Sequence, residues 1–401
     1  MSARCGSSPQ RDLRNIMNVS FGDSLEWGEG DGCWSSAAKI MRAVARWKER
    51  YGVTSIYWRG THRFWQRYGR VHYGPTARPA HWQSETRRLA SEMDDFETIL
   101  TCGHTFGLRV YLYLTLFDEG WPLGPDGQCS FGPMGADNAP QSLFTVEHPE
   151  YLENDRLQHT YHHGVLCYAY PEARAYRLRV LGELLGNYDF DGLFLCTRSQ
   201  SQPAAHADQF GFNAPIVDEF EQRYGVNILR QDFSLGNWRR LRGAHLTQLL
   251  REIRELTNRR GMRLSIGVPR GSYLGPPVGN LYLDWHSWVE ERLVDALCID
   301  QVASVCPSTW FRMWPGQSGY GYMCNHLAGI GMNDLLHDVQ DVYGPICTER
   351  GCELYLSRMH HAPVLPDEAI LASPCVSGLV LNAFRLDNPE VCIREPWLHA
   401  V

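Results

Sequence analysis

Leu108-Arg109-Val110-Tyr111-Leu112-Tyr113-Leu114-Thr115-Leu116-Phe117 is an apolar run that breaks at once into Asp118-Glu119-Gly120-Trp121. Polar and apolar residues do not strictly alternate within it, which is the pattern of a parallel strand covered on both faces. Working outward, the residues before it carry a stripe of helical period (Leu89, Met93, Phe96, Leu100), closed by Gly103 and Gly107. After it, Pro171 opens a second such stripe (Tyr176, Val180, Leu184), a favoured first-turn place for proline. Another apolar run, Gly192–Arg198, then begins the unit again.

The same unit recurs along the chain. Candidate strands are Asn15–Phe21, Ser55–Trp58, Leu108–Phe117, Gly192–Arg198, Arg263–Val268, Ala296–Val302, Glu353–Arg358 and Gly378–Phe384. Further helical stripes are Ile40, Val44, Trp47, Tyr51 and Leu246, Leu249, Ile253, Leu256, the latter ending at Gly261. Shorter helices are predicted over Trp285–Arg292, Asn333–Tyr343 and Pro366–Ala372. Eight alternating β and α segments with right-handed crossovers predict a (β/α)8 TIM barrel. An open doubly wound sheet would announce a glycine-rich phosphate turn after strand one, where this chain has Ser20-Phe21-Gly22-Asp23. The predicted organisation is a flexible tail over 1–14 and a single barrel over 15–401. Two long loops, Asp118–Tyr170 after strand three and Ser199–Asn237 after strand four, are expected to build its cleft.

Charge and composition narrow the partners. The net charge is −7, and the 38 basic and 45 acidic side chains are spread without a lysine-rich block, which argues against nucleic acid. No apolar run reaches membrane-spanning length, and Met1 to Asp12 lacks the apolar core of a signal peptide, so no membrane partner is expected. The 13 cysteines lack CxxC spacing and several sit in strand-like runs. They read as buried thiols, favouring a reducing, cytoplasmic setting. The 13 tryptophans often lie beside Gly and Pro, where flat rings can face sugars.

Chemistry in a barrel sits where strands run into the following loops. Those ends supply Asp23, Trp58-Arg59-Gly60-Thr61-His62, Asp118-Glu119-Gly120-Trp121, Arg198, Arg270, Asp300, Arg358-Met359-His360 and Asn382 through Arg385. Polar ends on apolar strands predict a pocket at one mouth of the barrel. Hydrolysis of a glycosidic bond needs two carboxyl groups facing each other across it, and Asp118, Glu119 and Asp300 are the catalytic candidates. Asp284, just before a predicted helix, is either an N-cap or a further site carboxylate. Arg59, His62, Arg198, Arg270, Arg358 and His360 are candidates for gripping a sugar, and Trp58, Trp121, Trp285 and Trp310 for stacking on it. Strand one carries no His-x-His pair, and His162-His163 and His360-His361 would diverge on a strand, so neither metal nor other cofactor is expected.

Several stretches resemble the family-10-like glycosyl hydrolase proteins, a group of bacterial barrels. They are His148-Pro149-Glu150-Tyr151, Tyr168-Ala169-Tyr170-Pro171-Glu172-Ala173-Arg174 and Tyr188-Asp189-Phe190-Asp191-Gly192-Leu193. Phe220-Glu221-Gln222-Arg223-Tyr224-Gly225, Trp238-Arg239-Arg240 and Tyr282-Leu283-Asp284-Trp285 before Leu293-Val294-Asp295 follow in order. The resemblance spans roughly residues 15 to 385 and implies a TIM barrel that hydrolyses an oligo- or polysaccharide. It fails at one place. Such proteins commonly carry an Asp five residues after the Asp that precedes Gly, and here that position is Cys196. The family's presumed acid therefore does not transfer. Cys196 is either a packed strand residue or a thiol activated by Arg198. Three expectations follow: a glycoside hydrolase using another carboxylate pair, a barrel that binds carbohydrate without cleaving it, or a metal-dependent hydrolase.

Overall fold

The computed structural model describes residues 13–19, 36–59, 71–72, 91–120, 141–197, 208–275, 279–299, 335–358 and 368–383. Eight strands close a barrel: β1 (Asn15–Val19), β2 (Val53–Arg59), β3 (Arg109–Thr115), β4 (Gly192–Cys196), β5 (Arg263–Gly267), β6 (Ala296–Ile299), β7 (Glu353–Arg358) and β8 (Val376–Asn382). Every strand is parallel to its neighbours in chain order, and β1 pairs with β8 through Ile16 against Val380 to shut the ring. The predicted (β/α)8 TIM barrel is the observed fold. Among the described residues, no helix is long and apolar enough to cross a membrane.

Side chains on each strand split between two apolar layers. One set, including Met17, Ile56, Leu112, Leu193, Ile266 and Leu297, packs outward against helices. The other, Ile16, Tyr57, Tyr111, Tyr113, Phe194, Cys196, Ala296, Cys298, Tyr355 and Val380, fills the barrel. Tyr57 stacks on Phe194 with ring centroids 4.0 Å apart, and Tyr113 meets Phe194 edge-on at 5.1 Å. That packing leaves no room at Gly192, where an added Cβ would stand 2.3 Å from the Tyr111 ring and 2.9 Å from the Arg263 carbonyl. Gly192→Ala is expected to cost about 1–3 kcal/mol of stability, read as a lower denaturant midpoint.

Local signals explain the helix limits. α1 (Ala37–Tyr51) stops at Gly52, whose φ of 59° suits a residue without Cβ, and its stripe Ile40, Val44, Trp47 is buried as predicted. α2 (Asp95–Thr105) starts later than the apolar period suggests. The Asp94 carboxylate caps it by accepting from the backbone N–H groups of Phe96 (3.1 Å) and Glu97 (3.2 Å), and Gly103 lies within it. α3 (Pro171–Asn187) has proline in its first turn as expected. The helix predicted to end at Tyr343 does not end there. A π-helical turn, Asp338–Tyr343, leads into a further helix, Gly344–Arg350, with Pro345 tolerated in its first turn.

Both long loops are structured where they are described. The loop after β3 holds a hairpin (Leu152–Asn154 with Tyr161–Leu166), and the loop after β4 holds a helix, Ala214–Tyr224. Asn213 joins them, its side-chain N–H donating to the Leu152 carbonyl (2.7 Å) and its amide oxygen accepting from the Asn154 N–H (3.0 Å). Phe212, Phe220 and Trp238 make a satellite core behind the hairpin. Arg242, on the helix Leu235–Asn258, donates to both oxygens of Glu153 at 2.9 Å beneath it.

Candidate functional site

The site assembles from strand ends. On β2 the inward series Ser55, Tyr57 continues to Arg59, and on β3 the series Tyr111, Tyr113 continues to Thr115. β-Pairing sets Arg59 opposite Tyr113, and the guanidinium lies over that ring at 5.7 Å. Arg59 forms a buried ion pair with Asp118, which stands just past the end of β3. The Tyr113 hydroxyl donates to the Cys196 sulfur at 3.3 Å. Three predicted residues, Arg59, Asp118 and Cys196, are thus linked through Tyr113 at the C-terminal end of the barrel.

Cys196 is wholly buried in the aromatic filling, in the position of a packed strand residue. Its neighbour across Gly267, Cys298, has its thiol pushed up to about 12 by burial, first of all.

Glu119, the neighbouring candidate, is held in a buried network. It has no exposed surface. Arg177 of α3 pairs with one carboxylate oxygen, and the Tyr176 hydroxyl donates to the other at 3.1 Å. Its backbone N–H donates to the Gly164 carbonyl and its carbonyl accepts from the Ser142 N–H, both at 2.9 Å. Burial pushes the carboxyl above its ordinary value, opposed by Arg177, Ser142 and Tyr176. The residue therefore pins the start of the β3 loop onto α3. Arg177 stands 58 positions away in sequence, with no local pattern to couple the two.

Trp58 is placed differently from Arg59. It neighbours Arg59 on a strand, so the two side chains face opposite ways. Trp58 belongs to the helix-facing core, and its indole N–H donates to Asp95 in the first turn of α2 at 2.8 Å.

Arg270 and Trp285 meet elsewhere. Arg270 pairs with Asp338 at 3.0 Å, the Gly271 N–H donates to the Tyr343 hydroxyl at 2.7 Å, and Trp285 packs on Tyr343 at 4.3 Å. These contacts tie the β5 loop to the segment before β7. Asp284 occupies the N-cap position of the helix Trp285–Glu290 without its side chain capping it. Arg358 ends β7, opposite Leu381. His62, Trp121, Arg198, Asp300, Trp310 and His360 lie outside the described residues. Among the described residues, no three His, Cys, Asp or Glu side chains converge as a metal site would need.

No family model matches the chain, and neither does any curated protein sequence. The resemblance to family-10-like proteins accordingly rests on sequence motifs alone. Among solved structures, the chain is similar to the catalytic domain of β-amylase from Paenibacillus polymyxa, with a TM-score of 0.50 and 11% identity over 94% of this chain and 93% of that one. The glycoside hydrolase domain of PgaB (BpsB) from Bordetella bronchiseptica gives 0.47 and 11% over 96% and 99%. α-L-Fucosidase isoenzyme 2 from Paenibacillus thiaminolyticus gives 0.48 and 12% over 97% of this chain and 50% of that one. Identities this low speak to the fold alone.

Proposed function

We propose that the protein hydrolyses glycosidic bonds in an oligo- or polysaccharide, with Asp118 as one of two carboxyl groups at the mouth of the barrel. The observation that supports this most directly is the buried Arg59–Asp118 pair, which holds a carboxylate where three linked strand-end residues converge. A carboxylate matched by a guanidinium suits the nucleophile or base better than the proton donor. The second carboxyl falls to Asp300, which continues the every-second-residue series Ala296, Cys298 in sequence. Glu119 keeps its place as the anchor of the loop. Arg198, His62, Trp121, Trp310, Arg358 and His360 are assigned to the substrate, and the similar barrel of a β-amylase, named for work on a sugar polymer, is consistent with that class.

The test is release of new reducing ends from a panel of oligo- and polysaccharides by the full chain. Turnover is expected on at least one, and Asp300→Asn is expected to lower it by about 10²-fold or more. Unchanged turnover in that variant removes Asp300 from the mechanism. A second reading is favoured by Cys196, packed and bonded to Tyr113 where the resembling family carries an acid: a barrel that binds carbohydrate and leaves it intact. Saturable binding of a glycan with no product after prolonged incubation selects that reading.

A further inference from the structure

Toward the C-terminal ends of five strands, small or polar residues face into the barrel. Asn18, Thr115, Cys196, Gly267 and Ser357 are the inward positions there. One step earlier on the same faces stand Ile16, Tyr113, Phe194, Ser265 and Tyr355, which are mostly large. Barrel layers are normally filled with bulky branched side chains. On each of these strands the inward residue nearer the loop is the smaller or more polar one, Gly267 after Ser265 among them. Gly267 contributes no side chain between Cys196 and Cys298, its partners on either side.

Two of these polar side chains have no hydrogen-bond partner. Both the amide nitrogen and the amide oxygen of Asn18 are buried and unpaired, and so is the Thr115 hydroxyl. Asn18 has no exposed surface and Thr115 is 4% exposed. Both point inward, since Met17, Val19, Leu114 and Leu116 pack in the outer core. Buried groups left in this condition are costly, and either apolar residue of similar shape would relieve the cost.

We infer that Asn18 and Thr115 form the floor of a subsite that hydrogen-bonds the hydroxyl edge of one uncharged sugar ring. Both side chains can donate and accept, as hydroxyl groups do. Among the described residues here, the cation Arg59 is paired with Asp118, which suits the floor to an uncharged ligand. This inference rests on reading the barrel mouth as a sugar site, and it concerns binding whether or not a bond is cut.

The experiment titrates the full chain calorimetrically with glucose, galactose, mannose, N-acetylglucosamine and glucuronate, as wild type and as Asn18→Leu and Thr115→Val. At least one neutral sugar is expected to bind, about tenfold more weakly to each variant, the ratio expected for one lost hydrogen bond. In the same variants Tm is expected to rise by about 1–3 °C, because an unpaired buried polar group has gone. An ordinary packing role predicts the reverse, a lower Tm with unchanged sugar binding, and that result overturns the inference. So does binding of glucuronate alone, or of no sugar by the wild type. If the variants behave as expected while no glycan is cut, the subsite stands and the hydrolase reading falls.

Discussion

Arg177→Met is expected to remove about 3–5 kcal/mol of stability, because it leaves the Glu119 carboxylate buried beside α3 without its counter-charge. The loss should depend on pH in a definite direction. Burial already raises the Glu119 carboxyl in the folded protein, and Arg177 is the largest influence opposing that rise. Without Arg177 the carboxyl climbs further. A carboxyl raised in the folded state binds its proton more readily there than in the unfolded chain. Stability contributed by that proton is present at low pH and is lost as pH rises through the folded value. The deficit of Arg177→Met relative to wild type should therefore be smaller near about pH 5 than near about pH 7.5. Urea unfolding at the two pH values measures it, and equal deficits would sink the account. The double variant Glu119→Gln with Arg177→Met should recover much of the loss, since both charges are then gone.

Asp118→Asn is expected to lower kcat by about 10³-fold with a much smaller change in KM, the mark of an interaction made chiefly in the transition state. The amide oxygen can still accept from Arg59 but no longer balances its charge, so some stability goes too. Activity is best normalised to folded protein by tryptophan fluorescence, for which the 13 tryptophans give ample signal. Retention of more than about a tenth of wild-type turnover removes Asp118 from the chemistry.

The strands were legible because a parallel barrel strand is apolar on both faces, and all eight runs read from sequence fall on strands of the barrel. Their ends moved by a residue or two, as at Val53 rather than Ser55. The helix Ala214–Tyr224 inside the second long loop was missed, although Pro215 in its first turn, Ile216, Val217 and Phe220 on its buried face and Gly225 beyond its end were available signals. Within the site, alternation alone could have separated Trp58 from Arg59, since neighbours on a strand cannot share a face. The partners of Glu119 could not be read. Arg177 and Ser142 reach it only through tertiary folding, and its own sequence surroundings match those of Asp118. Asn18 was hidden for a related reason: an asparagine in an apolar run shows its significance only when its neighbours prove unable to satisfy it.

Closure of the ring through Ile16 and Val380, with the Arg14 N–H donating to the Ser377 carbonyl at 3.0 Å, sets a timetable for synthesis. On the ribosome the first strand finds β2 early but must wait for its second partner, more than three hundred and fifty residues later. Until that partner emerges, β1 and β7 are two raw edges of an unfinished sheet, open to pairing with other chains. A protein joined end to end in this way should be most prone to aggregate while nascent, and should gain most from chaperones late in translation.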